Sequence, residues 1–289
     1  MTWLLLVLIA IFGPAGSARG PEEGVRTGSG GEVSIPLDPL TSDMRGPLPL
    51  VTAARGDNPP LVVIDAGHGG HDPGASSPHS ARPEKDITLA LALAMRDALA
   101  ATGRVRVALT RSDDSYLVLE DRYEIARRLG ADLFISVHAD TAPANDRARG
   151  ATIYTLSEVA SDREAATLAA RENSADLISG ARMSPDPQVN AILIDLAQRE
   201  SMNVAADFAR LLHREAAPVF PFRPDWHRFA AFIVLKAPDI PSVLFESGYL
   251  TNQVDAAYLQ SREGQQQIAD GMRRAVEAHF ARRFAQANT

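Results

Sequence analysis

His68, Glu84 and His138 are the side chains whose types and settings point first to chemistry. His68 lies in Ile64-Asp65-Ala66-Gly67-His68-Gly69-Gly70-His71-Asp72-Pro73-Gly74-Ala75, between two glycines that leave the backbone free to fold around whatever the imidazole holds. Alone, a histidine in a Gly-rich loop is more often hydrogen-bonded to its own turn. Its company changes the reading: Glu84 opens a helical pattern, and His138 closes the strand-like run Leu133-Phe134-Ile135-Ser136-Val137. Two imidazoles and a carboxylate, with a fourth position open to water, form the ligand set of many catalytic zinc sites. Such a centre implies metal-assisted hydrolysis, and an amide is the expected substrate bond.

The elements that must position these groups alternate between strand and helix. Leu61-Val62-Val63-Ile64 reads as a buried strand, and a loop at its carboxyl end is where open α/β sheets place their sites. A buried helix is expected from about Glu84 to Thr102, ended by Gly103, then a strand from Arg104 to Arg111. Leu119 to Leu129 is a short helix stopped by Gly130, and Leu133 to His138 and Ala151 to Leu156 are further strands. Strands are also expected at Phe232-Ile233-Val234-Leu235 and Val243-Leu244-Phe245-Glu246, a crossover helix at Ser201 to Ala217, and a last amphipathic helix at Arg262 to Phe284. The implied fold is α/β: one domain with a twisted, mostly parallel sheet of about six strands, flanked by helices on both faces, with a helical insertion at 157–200.

Composition narrows the functional classes. The 289 residues are 45% hydrophobic and 22% charged, with a formal charge of −7, so there is no basic footprint for nucleic acid. Cysteine is absent, which removes thiolate ligands, disulfides and a cysteine nucleophile together. Residues 1–18 read as a secretory signal: Trp3 to Phe12 is apolar but too short to span a bilayer, and Gly16-Ser17-Ala18 offers small residues for cleavage. No Lys or Arg precedes the apolar run, the one departure from a signal pattern. An exported, periplasmic protein is expected. Residues 19–60, rich in Gly, Pro, Ser and Asp, read as a flexible leader, and 61–285 as the catalytic domain.

Taken together, the motifs resemble those of zinc-dependent N-acetylmuramoyl-L-alanine amidases of the cell-wall type. The resemblance rests on Gly67 to Ala75, Glu84-Lys85, Ser136-Val137-His138-Ala139-Asp140, and Leu235 to Asn252 with its Pro241-Ser242-Val243-Leu244-Phe245-Glu246-Ser247-Gly248 core. It implies one Zn2+ held by His68, Glu84 and His138, with Glu246 as the catalytic carboxylate, and peptidoglycan as substrate. The bond cut would be the amide between N-acetylmuramic acid and L-alanine. Asp140 and Ser247 depart from the Asn and Thr common at those positions, and neither removes a ligand. A zinc endopeptidase on wall peptides and a non-enzymatic wall-binding module are the competing classes.

The resemblance extends to amidases of daughter-cell separation, which carry a helical insertion covering the zinc. In Ser161 to Ile178, Ala165, Leu168 and Ala169 form an apolar stripe that Glu172 shares. A carboxylate there is costly to bury unless a cation waits for it, so Glu172 is a candidate autoinhibitory ligand, with Glu164 second. A Glu at the edge of a poorly packed stripe is an equally weighted reading. A second short helix through Val189, Ile192, Leu193 and Leu196 is apolar nearly all round, which suggests docking of an activator protein, in the family a degenerate endopeptidase. Burial in the domain's own core competes with that view. Arg111 is a candidate contact for an anionic peptide or a member of a surface ion pair; Asp65 is expected to accept backbone N–H bonds. His71 reads as a solvated loop residue or a substrate contact, and His79, His213, His227 and His279 have no ligand-like context. A monomer is the default.

Overall fold

A computed structural model describes residues 26–27, 33–34, 47–79, 82–142, 145–176 and 191–287. The chain divides into two units, 1–38 and 39–289. In the first, β1 (Arg26–Thr27) pairs antiparallel with β2 (Val33–Ser34). The signal expected at 1–18 lies outside the described residues, as does Val189. Among the described residues no helix is long and apolar enough to cross a membrane.

The second unit is built on a six-stranded sheet: β3 (Leu61–Ala66), β4 (Arg106–Leu109), β5 (Leu133–Asp140), β6 (Ala151–Leu156), β7 (Phe222–Ala230) and β8 (Ser242–Tyr249), in the order β4-β3-β5-β8-β6-β7. β4, β3, β5 and β8 are parallel, β6 runs antiparallel to β8, and β7 lies parallel to β6. Every residue of β3, β5, β6 and β8 is buried, which is why those strands read as near-continuous apolar runs.

Helices cover both faces. One core layer sets Val62 and Ile64 of β3 against α1 (Glu84–Ala100), α4 (Ala191–Ala216) and α6 (Arg262–Ala287). The other sets Leu61 and Val63 against α2 (Leu119–Leu129) and α3 (Arg163–Asn173). Leu91, Met95 and Leu99, one turn apart on α1, form its buried stripe, and Glu84 and Asp86 place acid at its amino end. Gly130 ends α2 in the left-handed conformation at φ 66°, and Asp162 caps α3 by accepting from the amide of Ala165. A further helix, α5 (Gln253–Gln260), was not legible as a separate element.

Two expectations fail here. Phe232 to Leu235 is no strand: Ile233–Leu235 is a 3-10 turn, and its apolar side chains fill the second core layer off the sheet. The sixth strand is β7, whose Phe-Arg-Pro-Asp-Trp-His-Arg-Phe-Ala sequence hides it; an edge strand tolerates Pro224 and polar residues because one side of its ladder is unpaired. The short helix expected around Ile192 and the crossover helix at Ser201 to Ala217 are one continuous helix, α4, on which Leu196 is exposed. At the opposite edge, Thr52 and Val107 bond to each other, and the amide of Arg55 bonds to Gly103 O at 2.8 Å, so contacts with the sheet begin before Leu61, inside the segment read as leader.

His279 on α6 is buried against the Phe208 ring of α4, at 5.5 Å between centroids, with Nε2 unpartnered. Burial, helped by Arg283 and opposed by Asp207, lowers its pKa to about 4. The unfolded chain therefore takes up a proton between the ordinary value near 6.5 and about 4, while the fold does not. Stability should fall over that window as pH drops, by about 3 kcal/mol from this group. Chemical denaturation at pH 7 and pH 4 should show His279→Leu losing that part of the pH dependence; an unchanged slope contradicts the assignment.

Candidate metal centre

The site sits at the carboxyl ends of the parallel strands. His68, just past β3, adopts φ 63°, a left-handed conformation rare for a residue with a Cβ, so the loop must be held there. Two buried guanidinium groups hold it. Arg111 donates to the carbonyls of Ala66 (2.9 Å) and Gly67 (2.8 Å), and Arg122 to those of Ala66 (2.8 Å) and His68 (2.8 Å). Arg122 is fixed in turn by Asp65, whose carboxylate also accepts from the hydroxyls of Thr110 and Ser136. Burial opposes the Asp65 charge, but Arg122 and these hydroxyls hold its pKa below the usual carboxylate value. Gly67 and Gly74 are needed for close approach: a Cβ on Gly67 would stand 2.5 Å from the His138 ring, and one on Gly74 2.6 Å from His68.

Four donor atoms converge above this loop. Glu84 Oε1 is 3.0 Å from His68 Nε2 and 3.3 Å from His138 Nδ1. Glu172 Oε2 is 3.5 Å from the same His68 nitrogen and 3.3 Å from the same His138 nitrogen. Despite this proximity, His68 Nε2 and His138 Nδ1 are buried without a hydrogen-bond partner. Ligands about 2.0–2.1 Å from one ion at tetrahedral corners would stand about 3.3 Å apart, and these four imidazole–carboxylate separations lie near that value. The donor atoms of buried His68, His138 and Glu172 all lie within 4.8 Å of one another and form a metal-compatible group, with Glu172 rather than the expected Glu84 as its carboxylate.

The remaining atoms of the ligands are anchored. His68 Nδ1 pairs with Asp72 Oδ2 at 2.8 Å, which orients Nε2 toward the cluster. Glu84 Oε2 accepts from the amide of Ala75 (2.8 Å), while Oε1, which faces the histidines, also accepts from the amide of Ala139 (3.0 Å). Arg171 of α3 stands 2.9 Å from Glu172 Oε1, on the side away from the histidines, and 3.2 Å from Asp140. Burial alone would lower the His68 pKa, but Glu84, Glu172 and Asp72 raise it well above the ordinary value. Glu84 shows the converse: burial opposes its charge, and the two imidazoles hold its pKa well below the usual range.

Glu246 lies on β8 directly across the ladder from His138 on β5, which sets the two side chains on one face of neighbouring strands. It is 1% exposed, and both carboxylate oxygens lack a hydrogen-bond partner. Burial, and after it the carboxylates of Asp140, Glu84 and Glu172, push its pKa well above the usual value, with Arg171 opposing. A carboxyl group so placed is suited to hold and pass a proton.

The structure thus brings together His68, Glu84, His138, Glu172 and Glu246. Glu164 does not join them; it pairs with Arg223 of β7 at 2.6 Å. Arg111 is buried and donates to the carbonyls of Ala66, Gly67, Lys85 and Asp113 rather than pairing at the surface, and Asp65 accepts from side chains rather than amides. His71 is exposed and packs on Tyr116, and His213 stacks on Trp226 at 4.1 Å. Ile192 and Leu193 lie on α4, but their side chains are outside the described residues. Sequence reasoning missed Asp72, Arg122 and Arg171; the four-residue spacing of His68 and Asp72 in one tight loop was the only available signal.

A buried His/His/Glu donor set at the carboxyl ends of a mostly parallel sheet defines an α/β protein with a candidate metal centre. The chain belongs to the N-acetylmuramoyl-L-alanine amidase family (Amidase_3), whose profile matches residues 62–278. It is 36% identical over 222 residues to N-acetylmuramoyl-L-alanine amidase AmiA of Escherichia coli K12, covering 76% of each chain. It is 32% identical over 226 residues to AmiC of E. coli O6:H1 strain CFT073, covering 78% of this chain and 54% of AmiC, so it spans about half the length of that relative. The catalytic domain of CwlV, an N-acetylmuramoyl-L-alanine amidase from Bacillus (Paenibacillus) polymyxa var. colistinus, superposes with a TM-score of 0.58 at 26% identity, covering 77% of this chain and 98% of that one.

Arg122→Lys keeps the charge opposite Asp65 but loses the fork on the carbonyls of Ala66 and His68. Zinc affinity, measured by chelator competition, should fall about tenfold. Unchanged affinity would mean that the carbonyl clamp does not position His68.

Proposed function

We propose that this chain is an exported, periplasmic zinc amidase that cleaves the bond between N-acetylmuramic acid and L-alanine of peptidoglycan during daughter-cell separation, and that its resting state is self-inhibited. The observation that carries this reading is the convergence of four donor atoms, three from the domain's frame and one from α3. His68, Glu84 and His138 would hold the zinc, and Glu172 would stand in the way of a substrate water. A bound zinc lowers the pKa of a coordinated water and polarises a carbonyl oxygen. Glu246 accepts the proton of the attacking water and returns it to the leaving amine of L-alanine. Activation displaces α3, and an activator of the degenerate endopeptidase type engages the apolar segment of Val189, Ile192, Leu193 and Leu196.

Dye release from purified sacculi tests this. Glu172→Ala should raise basal hydrolysis at least tenfold, while His68→Ala, Glu246→Gln and zinc removal should abolish it. Mass spectrometry should find glycan chains freed of peptide. Fragments cut within the peptides would instead identify an endopeptidase, and sacculi bound without release a wall-binding module.

A further inference from the structure

Helix α3 makes a second set of acidic contacts, away from Glu172. Its cap Asp162 and first-turn Glu164 meet two arginines of β7. Arg228 Nε is 3.1 Å from Asp162 Oδ2, Arg228 Nη2 is 3.3 Å from Glu164 Oε2, and Arg223 Nη1 is 2.6 Å from Glu164 Oε1. The Tyr249 hydroxyl donates to Glu164 Oε1 at 3.2 Å and also contacts Arg223, while Arg228 Nη1 donates to the Tyr154 hydroxyl at 3.2 Å. The Arg228 side chain is 3% exposed and that of Arg223 19%.

The arginines and tyrosines belong to the sheet; their acidic partners, Asp225 of β7 aside, belong to α3. The same helix supplies Glu172, so clearing the metal centre for a substrate moves the helix that neutralises Arg223 and Arg228. A buried guanidinium left without a counter-charge is strongly unfavourable. Asp225 alone, 3.2 Å from Arg223 and 3.7 Å from Arg228, leaves one carboxylate for two cations. Two forked cations beside a phenol hydroxyl are a donor set made for a carboxylate. Glu164 and Glu172 are eight residues apart (172 minus 164), about 12 Å along a helix. An extended peptide at about 3.4 Å per residue spans that in three or four residues.

We propose that Arg223 and Arg228, with Tyr249, form a carboxylate-binding subsite for the peptide part of the substrate. In the resting chain Asp162 and Glu164 occupy it as stand-ins; after α3 moves it takes a peptide carboxylate three or four residues from the scissile amide. The assignment rests on the amidase reading for which bond lies at the metal.

The test uses the full zinc-loaded chain with Glu172→Ala and Glu164→Gln, and two substrates: an N-acetylmuramoyl tetrapeptide with a free terminal carboxylate, and the same molecule amidated there. The free acid should have a KM about tenfold lower, with similar kcat. Adding Arg223→Gln should abolish the preference, and adding Asp225→Asn, which removes the competing carboxylate, should widen it. A preference that survives Arg223→Gln, or that Asp225→Asn leaves unchanged or narrows, overturns the subsite. Should neither substrate be cleaved, the amidase reading fails, and calorimetric titration of the two tetrapeptides still decides: the same tenfold ratio, lost in Arg223→Gln, supports the subsite, and equal affinities overturn it.

Discussion

Four imidazole–carboxylate contacts of 3.0–3.5 Å tie His68 and His138 to Glu84 and Glu172 out of water, and two carboxylates buried so close together require positive charge beside them. That constraint organises the rest of the molecule. A proton on an imidazole relieves part of it, yet His68 Nε2 and His138 Nδ1 both lack a hydrogen-bond partner. A divalent cation held by the two imidazoles and a carboxylate would supply the rest.

Holding such a cluster requires a frame that does not relax. Here the frame is a buried ionic lattice beneath the loop: Asp65, gripped by Arg122, Thr110 and Ser136, fixes the guanidinium that fixes the carbonyls around His68. The parallel pairing of β5 with β8 does the same for His138 and Glu246, since their relation is one of ladder register. By contrast α3 is attached mainly at its ends, through Asp162 and Glu164 at one and Arg171 and Glu172 at the other, with only Ala165, Leu168 and Ala169 entering the core.

Much of this was legible because some residues have few other reasons to be where they are. The glycines around His68 announce close approach, Gly130 ends α2 where its left-handed conformation requires, and Glu172 is conspicuous beside the Ala165 and Leu168 stripe. What escaped reading depends on neighbours distant in sequence. β7 looks like a loop because an edge strand needs no apolar alternation, while Phe232 to Leu235 looks like a strand because its burial comes from irregular packing. Arg111 and Arg122 look like surface charges until Asp65 and the loop carbonyls are seen around them. The same apolar pattern cannot tell two short helices from the single α4.

X-ray absorption spectroscopy of the purified zinc-loaded chain addresses the central claim most directly. Four nitrogen and oxygen donors at about 2.0–2.1 Å, two of them imidazoles, are expected, with one oxygen donor exchanged for water in Glu172→Ala. Fewer than two imidazoles in the coordination shell, or a shell that His138→Ala leaves unchanged, would contradict the account.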